Sequence, residues 1–134
     1  MINLLKTSII AGILLFVFTG CGAQKVLNIQ KAPLSINKEI SIKKMYKAIK
    51  NAGYRRGWQI SKVSPGVAKA YINVRGRHQA TVLITYSHNE YSINYKDSEH
   101  LKYNAQNNTI HKNYNSWVKN LDKDINFELN SLGE

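Results

Sequence analysis

The pattern of this 134-residue chain predicts an α+β fold: a four-stranded antiparallel meander with two helices packed on one face, in the order αββββα. Three observations point there. Apolar residues recur at helical spacing just after Ser41 and again from Tyr114 to Leu132. Between them lie four segments that alternate apolar with polar residues, separated by Pro, Gly and Asn turn signals. Each element has one apolar face, and elements of that kind bury it by stacking helices against a sheet in two layers. With 43% hydrophobic and 20% charged residues, the composition suits one modest globular domain and neither a disordered nor a fibrous chain.

The first helix is read from "SIKKMYKAIKNAG". Ser41 has the side-chain oxygen that an N-cap needs, Ile42, Met45, Tyr46 and Ile49 form the apolar stripe, and Gly53 suits the left-handed position after a last turn. Lys43, Lys44, Lys47 and Lys50 fall on the opposite face, with Arg55 and Arg56 just past the end. The strands follow as "GWQISKV", "VAKAYINVR", "QATVLITYS" and "YSINYK", with "SPG", "GRH" and "SHNE" as turns. Trp58 and Ile60, then Ala68, Ala70, Ile72 and Val74, then Ala80, Val82, Ile84 and Tyr86, then Tyr91, Ile93 and Tyr95 make one apolar face.

Opposed residues share a face, so the connection between the second and third strands needs an odd number of residues. A two-residue Gly76-Arg77 hairpin is excluded, and a three-residue loop from Gly76 to His78 sets Tyr71 opposite Leu83. That pair forms an apolar island on the outer face, among Lys69, Asn73, Arg75, Thr81, Thr85, Asn94 and Lys96, and is a candidate contact site. The last hairpin accepts a His88-Asn89 turn or a four-residue loop, with Tyr86 opposite Tyr91. After Lys96 the chain reads as a solvated loop in which "LKY" and "TIH" can flank a small hairpin. Tyr114, Trp117, Val118, Leu121, Ile125, Leu129 and Leu132 then form the stripe of the second helix, and Phe127 points away from it. The element order resembles helix-grip and TATA-binding-protein-like arrangements, a likeness of layout that carries no function.

The start of the chain has the build of an export signal. "MINLLK" carries Lys6 and precedes "TSIIAGILLFVFTG", an apolar stretch shorter than the roughly 20 residues of a membrane span. Phe18, Thr19, Gly20 and the single cysteine, Cys21, then resemble the lipobox of bacterial lipoproteins, although Phe18 replaces the usual Leu. The resemblance implies cleavage before Cys21, lipid on its thiol, and acylation of the new amino end, with the acyl chains as the membrane anchor. The competing account, an ordinary cysteine after an uncleaved anchor helix, leaves the Thr-Gly-Cys order unexplained. Residues 1–20 are thus expected to be a signal peptide, 21–40 a lipidated Cys and tether, and 41–134 the single domain; "VLNI" can add an edge strand. Gly22 rather than Asp after Cys21 fits the sorting pattern for the outer membrane, facing the periplasm. In a Gram-positive cell the same anchor would leave the domain outside the plasma membrane.

"RGWQI", "YSHNEYSINYKDSEHLKY" and "IHKNYNSWVKNLDKDI" also resemble a group of small bacterial envelope lipoproteins without an assigned activity, over most of Ser41 to Leu129. That likeness implies the single domain and the lipid anchor and transfers no functional residue.

The excess of 19 Lys and Arg over 8 Asp and Glu gives a net charge of +11 and favours anionic partners. Lys43, Lys47 and Lys50, with Arg55 and Arg56, are the candidate binding residues. They suit anionic lipid, lipopolysaccharide phosphates, acidic wall polymer or an envelope protein. Nucleic acid fits the charge equally well, but export removes the chain from it. Catalysis is the weaker expectation. His78, His88, His100 and His111 lack metal-ligand spacing, and no nucleophile elbow or phosphate-cradling Gly loop is present. No metal, cofactor or catalytic residue is therefore assigned. The alternative is an envelope hydrolase using His100 with Asp97 or Glu99.

Overall fold

The structure, a computed structural model, describes residues 22–34 and 39–132. In chain order its elements are β1 (Ala23–Lys25), β2 (Ile29–Pro33), α1 (Ile42–Arg55), β3 (Gln59–Ser64), β4 (Val67–Val74), β5 (His78–Tyr86), β6 (Glu90–Glu99), β7 (Thr109–His111) and α2 (Lys112–Ser131). The α+β class holds, with two helices and antiparallel sheet. The main sheet has five strands in the order β2-β6-β5-β4-β3, and β1 with β7 makes a separate two-stranded ribbon. The expected meander is present as β3 to β6, but β2 adds a fifth strand to it. The physical reason is the free edge of β6: its unpaired N–H and C=O groups need covering, and Ile29 sits opposite Ile93 there on the core side.

Residues 22–34 are therefore part of the folded unit, which among the described residues reaches back to Gly22 rather than starting at Ser41. Asn115 of α2 is buried and binds this segment at three points: its Oδ1 accepts from the Leu27 N–H at 2.9 Å, and its Nδ2 donates to the Lys25 carbonyl at 2.8 Å and to Gln24 Oε1 at 3.2 Å. Val26 is buried beside it, and the Gly22 carbonyl accepts from the Lys112 N–H at 2.6 Å.

The side chains expected on one sheet face are buried or half-buried, and with Met45, Ile49, Ala52, Val118, Leu121, Ile125 and Leu129 of the helices they form one core. Ser41 caps α1 by accepting from the Lys44 N–H at 3.3 Å. Gly53 does not end the helix, which continues to Arg55; the left-handed turn comes at Gly57, with φ of 81°. Gly53 lies instead where α1 meets β3, and a Cβ there would stand 2.6 Å from the Ile60 side chain.

The β4–β5 loop has three residues, but they are Arg75 to Arg77: Val74 pairs with His78, one position earlier than expected. Arg75 and Gly76 both take positive φ, which supplies the reversal. Tyr86 pairs with Tyr91 across a tip closed by Ser87 N–H on the Glu90 carbonyl. β6 runs past Lys96 to Glu99 because a bulge absorbs Lys96, so that Tyr95 faces Val82 and Asp97 faces Thr81. Beyond it the "LKY" segment forms no strand, although Asn104 and Thr109 exchange both backbone bonds.

Candidate binding surface

Helical spacing sets Lys43, Lys47 and Lys50 in one row along α1. Tyr54, one turn further, continues it. All four are exposed, Tyr54 by 83%, because the opposite side of the helix carries Met45, Ala48, Ile49 and Ala52 into the core. Lys44 is exposed on the neighbouring side. Among the described residues none of these lysines has an ion-pair partner.

Arg55 and Arg56 behave differently. Arg55 pairs with Glu128, and its guanidinium lies 5.1 Å from the centre of the exposed Phe127 ring. Arg56 Nε donates to Asp124 at 2.7 Å and its second amino group reaches the same carboxylate at 3.3 Å. The hydrogen bond from Arg56 holds the Asp124 carboxyl below its ordinary range. Two of the five expected binding cations are thus clamps between the ends of α1 and α2, with their charge balanced. The acidic residues that do this, Asp124 and Glu128, sit four apart on α2, a spacing visible in the sequence once the helices are known to touch.

Where the lysine row ends, α1 and the start of β3 enclose an open groove of about 490 Å³. Lys50, Tyr54, Arg55, Trp58, Ile60 and Glu128 line it. Trp58 is buried, and its indole N–H has no hydrogen-bond partner among the described residues. Among the described residues β3 is the last strand of the sheet, so one edge of its backbone is unpaired there beside the groove. The arrangement offers an apolar floor, a basic rim and an unpaired strand edge, which suits binding.

The outer sheet face departs from the expected register. Tyr71 pairs with Thr81, and Leu83 pairs with Lys69, so the two are diagonal neighbours rather than opposed. Both are half-buried. The bulge at Lys96 turns Asp97 and Glu99 onto this face, and both line a shallow recess of about 60 Å³ with Tyr71 and Thr81. Acidic side chains thus join the exposed Lys69 on the surface around Tyr71, which carries both signs of charge.

His100 lies just beyond β6 with φ of 56°, and its carbonyl accepts from the His78 ring nitrogen Nδ1 at 3.0 Å. Asp97 accepts from the Ser98 N–H at 2.8 Å. Among the described residues no hydrogen bond or ion pair joins the His100 ring to Asp97 or Glu99. No group of three or more His, Cys, Asp or Glu side chains is gathered as metal ligands among them either. Cys21 and the segment before it lie outside the described residues.

Fold and surface together define a small two-layer α+β domain with a basic helix face opening onto a groove. No protein-family model matches the chain, and neither a curated protein nor a solved structure matches it. The likeness to small envelope lipoproteins accordingly rests on the sequence segments quoted above.

Proposed function

We propose that this chain is a noncatalytic lipoprotein of the bacterial envelope: cut before Cys21, held by acyl chains on that residue, and presenting a basic domain to an anionic envelope component or an acidic envelope protein. The placement, at the outer membrane facing the periplasm, follows from the lipobox-like run and Gly22. In this reading nucleic acid is excluded by location, and neither metal nor cofactor is needed. The observation that carries the binding role is the unpaired row Lys43, Lys47 and Lys50, which leads through Tyr54 into the α1–β3 groove. Acidic wall polymers and lipopolysaccharide phosphates offer repeated negative charge that such a row can follow.

The test reverses Lys43, Lys47 and Lys50 to Glu together and measures retention on purified lipopolysaccharide and on wall polymer at low ionic strength. Circular dichroism reports that the exposed substitutions leave the fold intact. Binding is expected to fall at least several-fold, and equal retention of both proteins sinks the reading.

A further inference from the structure

The lipid anchor has no tether between it and the folded domain. Cys21 is one peptide bond, about 3.8 Å between α-carbons, from Gly22, and the Gly22 carbonyl is already bonded to the Lys112 N–H. Gly22 takes φ of 135°, and β1 starts at the next residue. Whatever surface surrounds Gly22 must then lie at the lipid headgroups. That surface is built by β1, β7, the loop before β7 and the first turn of α2. Its charged side chains are Lys25, Lys102 and Lys112, with His111 beside Gly22. Residues 22–34 contain no Asp or Glu, and neither do residues 100–121. Tyr103, 41% exposed and stacked on Tyr95, adds an amphipathic ring to the same loop.

Both ends of α1 lie elsewhere. Just ahead of the helix, the Ile40 N–H donates to the His88 carbonyl at the tip before β6, whereas Leu101, just past the end of β6, accepts from His111. The ten residues of β6 separate those points by roughly 30 Å. The other end of α1 is tied to Asp124 and Glu128, and Asp124 is about 18 Å along α2 from Lys112. Both distances exceed the Debye length of about 8 Å at physiological salt.

We propose that the β1–β7 ribbon, with Lys25, Lys102 and Lys112, seats on an anionic phospholipid bilayer, and that the α1 lysine row is held away from it for a different partner. This rests on the lipid anchor at Cys21. Full-length protein matured in cells is purified, its N-terminal mass is measured, and it is reconstituted in vesicles of phosphatidylethanolamine and phosphatidylglycerol. A fluorophore is placed by Asn113→Cys or by Lys47→Cys, and quenching by headgroup-bound nitroxide lipid is compared. Several-fold stronger quenching at position 113, reduced by Lys25→Glu with Lys112→Glu, is the expected result. An acylated protein quenched equally at both positions, or more at 47, overturns the seating alone. A mass without acyl chains overturns the anchor reading and the seating with it.

Discussion

Gly53 and Ile60 meet so closely that no side chain fits between them: a Cβ on Gly53 would be 2.6 Å from both Cγ1 and Cδ1 of Ile60. The glycine sits inside α1, where alanine would ordinarily favour the helix by roughly 0.5–1 kcal/mol. Overpacking a fitted contact costs about 1–3 kcal/mol, so Gly53→Ala is expected to destabilise despite the better helix former. Combining it with Ile60→Ala removes the clash, and chemical denaturation of the four proteins of that cycle should show favourable coupling. Additive effects would mean that the helix and β3 separate easily.

How much of this was legible before the structure depends on the range of each interaction. The sheet's core face follows from alternation alone, and the odd length of the β4–β5 loop follows from which residues must share it. Gly53 was misleading because a glycine near a helix end looks the same whether it terminates the helix or admits a neighbour; only Ile60, across the chain turn, distinguishes them. The edge strand that "VLNI" suggests forms as β2 from its last residue, Ile29, to Pro33, and β1 carries no alternation that declares it; their partners, β6 and β7, lie far along the chain. The Lys96 bulge is likewise invisible locally, yet it decides that Asp97 and Glu99 face outward beside Tyr71. At the candidate site, the lysine row was readable from helical spacing, while the neutralisation of Arg55 and Arg56 needed the α1–α2 contact.

Two buried tyrosines should respond in opposite ways to loss of their hydroxyls. Tyr91 donates to Asp122 Oδ1 at 2.5 Å and accepts from Asn126 Nδ2 at 2.8 Å, whereas the Tyr114 hydroxyl has no partner among the described residues. Tyr91→Phe strips partners from half-buried polar groups and is expected to cost about 1–2 kcal/mol, while Tyr114→Phe should be neutral or stabilising. Burial first, then the bond to Asp122, raises the Tyr91 phenol well above its ordinary value of 10.0, and burial raises Tyr114. A raised folded value means that stability is intact below pH 10 and declines above it as the unfolded chain ionises first. Each Phe variant should therefore show a shallower alkaline loss of stability in denaturation midpoints taken across that range.

The Asp124 carboxyl predicts the acid limb. Its hydrogen bond to Arg56 lowers its folded value below the ordinary 3.8. The contribution is complete above 3.8 and disappears as pH falls through the lowered value, because the unfolded chain takes up the proton first. Asp124→Asn should thus be less stable than the parent at neutral pH and converge with it in strong acid. A constant difference between the two at every pH would show that packing, rather than charge, is what the substitution removes.

Asn115 controls whether the start of the domain is part of it. Its amide satisfies the Lys25 carbonyl at the end of β1 and the Leu27 N–H, which lies between β1 and β2 where the chain has no ladder of its own. Asn115→Ala leaves both without their partner, at about 1–3 kcal/mol for an unsatisfied buried group. Most of that loss should appear locally, because residues 22–28 touch the remainder chiefly through α2 and β7. Hydrogen exchange is expected to quicken at Leu27 and Val26 well before it does at Ile84 in the centre of the sheet. The consequence reaches the membrane. A released segment becomes a flexible tether, so the same variant should lose the difference in lipid quenching between positions 113 and 47 while remaining acylated. If exchange quickens uniformly across the domain, Asn115 supports the whole core, and the short connection to the bilayer does not depend on this one side chain.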